Sequence, residues 1–171
     1  MKNLRLIVSA GLFIAMEVIL TRFLSIQTPI VRIGFTFVPL AISSMMFGPV
    51  FGGVVAALSD IIGMMIFPSG AFFPGFTFSA FLTGAIYGLF LHKRAKTFLR
   101  ISLAVITISL FVNLILDTTW LWILTGKGIM AMLPARLIKN LIMIPVQIII
   151  IKAVWNYIIR PLRNIYSYDT I

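Results

Sequence analysis

The sequence predicts an all-α integral membrane protein: a bundle of six transmembrane helices, both termini in the cytoplasm, with structured loops on the outer side. Three observations carry that reading. Hydrophobic residues fill 61% of the 171 positions and charged residues only 11%, with a mean hydropathy of +1.12. Soluble domains run at about 45–50% apolar and about 25% charged, so lipid has to be the solvent for much of this surface. The apolar residues fall into six runs, and the basic residues gather at alternate breaks between them, the pattern that a chain threading a bilayer needs.

The runs form a single transmembrane domain over residues 1–171. The first spans Leu6–Phe23, interrupted by Glu17. The start, Met1-Lys2-Asn3-Leu4-Arg5, has the basic character of a signal peptide. The apolar run continues to about Leu20 without a small-x-small cleavage site, so it reads as a retained helix. Arg22 to Arg32 holds Ser25, Gln27, Thr28 and Pro29, too long for a tight turn and expected as a structured surface loop. Phe35–Phe47 ends at the turn signal Gly48-Pro49, and Val50–Phe67 follows. Both are short for a crossing and call for tilt or shelter by neighbours. Pro68 to Gly75 is bounded by prolines and rich in glycine and phenylalanine; backbone this irregular belongs against protein or water. Phe76–Leu91, Ile101–Leu124 and Leu133–Ile159 complete the set, the last carrying Pro145.

Lys2 and Arg5, the cluster Lys93 to Arg100, and Arg160 with Arg163 share one side of a six-span chain. That side is expected to be cytoplasmic, and Arg22, Arg32 and Lys127 on the other weaken the asymmetry without reversing it. The net charge of +10 therefore serves orientation and anionic headgroups rather than nucleic acid. With no cysteine there is neither disulfide nor thiol chemistry. Only four acidic residues exist, Glu17, Asp60, Asp117 and Asp169, widely separated. A membrane enzyme built on clustered acidic metal ligands is thus disfavoured, and no metal is expected. The chain also lacks the Gly-x-x-x-x-Gly-Lys-Ser/Thr phosphate loop, so any ATP-driven work needs another subunit.

Ionisable residues inside spans are costly and point to function. Asp60 and Asp117 each lie about 10 Å below the outer surface, at ~1.5 Å per residue. Asn113 is one turn beneath Asp117 on the same face, and Thr118, Thr119, Trp120 and Trp122 extend a polar and aromatic patch. At the start of the sixth run, Arg136, Lys139 and Asn140 follow Pro134. Each has a plain alternative: pairing with a basic residue or capping of backbone groups for Asp60, interhelical hydrogen bonding for Asp117 with Asn113, an interfacial belt for the tryptophans, snorkelling for Arg136 and Lys139. Taken together, carboxylates, amides, aromatics and cations suit a planar heterocycle with an acidic tail. On the first helix, Gly11 and Ala15 form a small-x-x-x-small pair of the kind that lets membrane helices approach closely.

Several stretches resemble the substrate-binding S components of energy-coupling factor (ECF) vitamin transporters, and within them the folate-specific branch. They are Gly34-Phe35-Thr36-Phe37-Val38-Pro39, Met46-Phe47-Gly48-Pro49, Ala57-Leu58-Ser59-Asp60 and Phe67 through Thr77. Ile86-Tyr87-Gly88-Leu89-Phe90, Asp117-Thr118-Thr119-Trp120-Leu121 and Leu133 through Asn140 follow in order. The resemblance implies a high-affinity vitamin-binding subunit without ATPase of its own, in the cell membrane of a prokaryote. It would work with a transmembrane T subunit and two ATP-binding-cassette subunits and would carry folate inward by toppling. No cofactor is implied; folate is cargo, and ATP is used by the partners. Gly11 and Ala15 then map to T-subunit docking, and Pro29, Pro68, Gly70, Pro74 and Gly75 to gating loops. Asp60 or Asp117 would accept pterin N–H donors, with Asn113 beside the latter. Phe35, Phe73, Phe76 and Trp120 would stack on the ring, and Arg136 and Lys139 would position the polar or glutamate end. An S component for thiamine, riboflavin or pantothenate would share the fold, and a stand-alone secondary transporter remains a separate class.

Overall fold

The computed structural model describes residues 2–27, 31–68, 72–126 and 128–159. Pro29, Gly70, Lys127, Arg160, Arg163 and Asp169 lie outside them. Six helices follow one another in alternating direction. Helix α1 is Lys2–Arg22, α2 Phe37–Phe47, α3 Pro49–Ile66 and α4 Pro74–Leu91. Helix α5 is continuous but has three parts: α-helical Phe98–Thr107, π-helical Ile108–Leu116 and α-helical Asp117–Thr125. Helix α6 is Ile129–Val154 and runs on as a π-helical Trp155–Ile159. Pure helix is what lipid demands, because every backbone group must then find its partner within the segment. By length and composition α3, α4, α5 and α6 can each cross a bilayer, whereas α2, with 11 residues, cannot cross alone.

Between α1 and α2 the chain forms a two-stranded antiparallel ribbon, β1 (Ser25–Gln27) with β2 (Arg32–Gly34), in register Ser25 to Gly34 and Gln27 to Arg32. The segment expected as a structured loop therefore has defined pairing. Its end of the bundle, where α1, α3 and α5 finish and α2, α4 and α6 begin, is called the ribbon end. The basic end carries Lys93, Arg94, Lys96 and Arg100. There Lys96 Nζ lies 4.5 Å from the Trp155 ring centroid and Lys152 Nζ 5.1 Å from that of Phe98, two cation–π contacts that tie the start of α5 to the end of α6.

The apolar core sits toward the basic end, where Met45 of α2, Tyr87 and Leu91 of α4, Ile101 and Val105 of α5 and Ile151 of α6 meet. The α3–α4 interface is the most extensive. It is a seam of backbone: a Cβ on Gly84 would collide with the Gly52 carbonyl, and one on Gly88 with Pro49 Cα. Small residues of this kind let membrane helices approach until main chains touch. Helix α1 leans on α3 and α2, burying Phe13 and Glu17, while Leu4, Ile7, Val8, Leu12, Met16 and Ile19 stay exposed. The outward faces are apolar throughout, as in Met65, Met130 and Leu141, which is the surface of a protein solvated by lipid.

Candidate functional site

Every residue proposed for the ligand lies toward the ribbon end, and the structure gathers most of them into three linked groups. The first is built on Asp60 of α3. Its Oδ2 accepts a hydrogen bond of 2.8 Å from Thr77 Oγ1 at the start of α4. Arg22, the last residue of α1, reaches the same region: its guanidinium would lie 3.2 Å from a Cβ on Gly63, and it feels the Asp60 charge. The absence of a side chain at Gly63 is what opens that path. Asp60 thereby couples the ends of α1, α3 and α4.

The second group is aromatic. Pro74 begins α4 at a position where a missing N–H costs nothing, and this brings Phe73 beside Phe76, with ring centroids 6.2 Å apart and edge to face. Phe73 also meets Trp120 of α5 at 5.7 Å, within the range of favourable aromatic pairs. Trp120 Nε1 donates to Ser79 Oγ at 3.2 Å, so the indole is fixed at both edge and face. Gly75 lies directly against both rings. Phe35 is apart from this trio; it is half exposed and packs on Phe37 at 6.3 Å.

The third group joins α5 to α6. Arg136 Nη1 donates to the Asn113 carbonyl at 2.8 Å and to Thr118 Oγ1 at 2.9 Å, and it lies in the field of Asp117. One turn along α6, Asn140 Nδ2 donates to the Ser109 carbonyl at 3.2 Å. Asn113 thus takes part through its backbone oxygen. Asp117, Lys139 and Trp120 are half-buried. Among the described residues no three His, Cys, Asp or Glu converge as metal ligands.

Of the loop residues, Pro68 and Pro74 are exposed and Gly75 is half-buried against the rings; Pro29 and Gly70 are outside the described residues. Gly11 and Ala15 both face outward from α1, and nothing lies within 4 Å of a Cβ placed on Gly11. Sequence reading overlooked Thr77, Ser79 and Arg22 as members of the site. The available signal was hydroxyls in the first two turns of an apolar helix, at the depth of Asp60 and Trp120.

Residues 5–155 match the family model for the substrate-specific component of ECF transporters. The chain belongs to that family. The S component is 49% identical over 160 residues to the folate transporter FolT of Clostridium novyi, covering 94% of this chain and 93% of that protein. It is 35% identical over 150 residues to the folate transporter FolT of Leuconostoc mesenteroides, covering 84% and 80%. Among solved structures it is similar to "Crystal structure of FolT bound with folic acid", with a TM-score of 0.85, 39% identity, and coverage of 88% of this chain and 92% of that one. Membership makes the S component a membrane protein and one part of a larger transporter, in a family of transporters rather than enzymes.

Proposed function

We propose that this S component binds folate at the ribbon end, facing outward in a prokaryotic cell membrane, and delivers it inward when docked on an ECF module. The observation that supports this most is the 39% identical structure with folic acid bound, which shares the fold along 92% of its length. The chemistry fits. Asp60, oriented by Thr77, or Asp117 accepts the paired N–H donors of a pterin, since a carboxylate takes two parallel donors. Phe73, Phe76 and Trp120 offer faces and edges to the flat ring, and Phe35 can close on it from the ribbon side. Lys139 serves the glutamate end as a compact positive charge.

The outward face of α1, with Gly11 and Ala15 as its small pair, is proposed to dock on the transmembrane T subunit, and two ATP-binding-cassette subunits supply ATP hydrolysis. Toppling of the whole bundle then carries the ligand across. The basic end, with Lys93 to Arg100, is cytoplasmic in this scheme, in keeping with the positive-inside rule.

The test is titration of the purified chain with folate, thiamine, riboflavin and pantothenate. Folate alone should bind tightly, and Asp60→Ala or Asp117→Ala should weaken it. Tighter binding of another vitamin would overturn the assignment, as would unchanged affinity in both variants for the carboxylates. Uptake by cells making the chain without the ATPase subunits would favour a stand-alone transporter instead.

A further inference from the structure

We propose that Arg136 and Asn140 are positioning residues: from α6 they hold α5 in π-helical register, and that register aims Asp117 and Trp120 at the ligand site. The proposal rests on the folate reading for its ligand, and on the following geometry for everything else.

A nine-residue π-helical run, Ile108–Leu116, is a rarity. Such turns usually appear singly and at functional sites, because i→i+5 bonding is less favourable than i→i+4. Something outside the helix must therefore sustain it. At its C-terminal end the Asp117 N–H donates to the Val112 carbonyl, five residues back. That N–H is the donor that an α-helix would give to Asn113. The Asn113 carbonyl instead receives Arg136 Nη1 at 2.8 Å. One turn lower, the Ser109 carbonyl receives Asn140 Nδ2 at 3.2 Å, a buried contact.

The two donors are four residues apart on α6, and so are the two acceptors on the antiparallel α5. Each pairing therefore joins matching turns of the two helices. At the end of the run the Asn113 carbonyl is passed over by its α-helical donor, and in lipid a carbonyl so released needs another partner. The Ser109 carbonyl, within the run, gains a second donor that pins it to α6. Arg136 also reaches the hydroxyl of the buried Thr118, just past the point where α-helical bonding resumes.

The consequence is an angle. Returning the run to i→i+4 bonding would move each downstream donor back by one residue and turn the rest of α5 on the order of 100°. Trp120 would leave Phe73 and its 3.2 Å bond to Ser79, and Asp117 would leave Arg136. Arg136 thus shapes the ring end of the site from the protein side, a different role from gripping the acidic tail of the ligand.

The two roles separate with two ligands: folate, and 6-hydroxymethylpterin, which has the ring but no acidic tail. Arg136→Met and Asn140→Leu should each weaken both ligands by the same factor, about tenfold for one lost hydrogen bond to a carbonyl in a buried site. Deleting Leu110, an exposed residue within the run, removes the extra residue that π register accommodates. In the Arg136→Met background this deletion should restore affinity at least in part, a rescue that no ligand contact could give. Loss of folate binding alone in Arg136→Met, with hydroxymethylpterin unaffected, would overturn the proposal. Unchanged affinity for both ligands in Asn140→Leu would also overturn it, and this variant carries the test if Arg136→Met does not fold. A wild-type chain that binds neither ligand refutes the folate reading itself, a result distinct from either.

Discussion

Adding one methyl group at Gly75 should loosen folate binding without touching a polar atom. A Cβ there falls 2.5 Å from Phe73 Cε1 and 2.6 Å from Trp120 Cδ2. Carbon atoms in contact settle at about 3.5–4.0 Å, so both rings must retreat by about 1 Å. Trp120 has little freedom to do so, because its Nε1–Ser79 Oγ distance is already 3.2 Å, at the long edge of a good hydrogen bond. Overpacking of this kind costs ~1–3 kcal/mol. With about 1–2 kcal/mol of that carried into the complex, the Kd of Gly75→Ala rises about 5- to 30-fold. Isothermal titration of folate into the purified variant measures this, with a thermal melt of the free protein as control. A Kd within about twofold of wild type would refute the reasoning, since ~0.4 kcal/mol is less than ring displacement at a stacking site allows. Phe73→Leu in the same background makes room for the methyl group, so the two substitutions should be strongly non-additive.

Thr77→Val removes the donor that orients Asp60 and should raise the folate Kd about 5-fold for one neutral hydrogen bond; equal affinity would show that the carboxylate needs no orientation. Gly11→Leu meets open space, so folate binding to the isolated chain should be unchanged while co-purification with the T and ATPase subunits is lost. Retained co-purification would remove α1 from the docking role. Glu17 is buried at 2% exposure with an Oε1 that lacks a hydrogen-bond partner among the described residues. Glu17→Met should therefore raise the melting temperature in detergent by about 2–8 °C, and a fall would mean that its contact with Ser59 outweighs the cost of burial. Gly84→Leu drives a side chain into the backbone of Gly52 and should abolish accumulation of folded protein, measured by fluorescence-detected gel filtration of a tagged chain.

The helical class was legible because lipid leaves so few alternatives: apolar runs broken at Gly48-Pro49, at Pro68 to Pro74 and at Gly126 had to be helices. Asp60 and Asp117 stood out for the same reason, as side chains that hydrocarbon does not tolerate without a partner, and Trp120 as an aromatic beside Asp117. Which partner they take is a tertiary matter. Arg22 reads as a loop cation by position, yet it crosses Gly63 toward Asp60, a path set by how α1 leans on α3. Thr77 and Ser79 are ordinary residues until α3 and α5 bring them a carboxylate and an indole. The π-helical run is invisible to hydropathy, since apolar residues fill it in either register and the deciding groups, Arg136 and Asn140, lie more than twenty residues downstream. The ribbon escaped notice because three residues per strand are too few to show alternation.

The α3–α4 seam has a meaning for how such a family can diversify. A contact made of main chain at Gly84 and Gly88 does not depend on which side chains surround it. Thr77 and Phe76 stand about two turns from Gly84 on the same helix, on the order of 10 Å along its axis, and farther still from Gly88. Those positions can be exchanged for groups that suit a different small molecule while the joint beneath them stays unchanged. A frame whose strength is independent of its recognition residues can drift in specificity one substitution at a time, without first losing its shape.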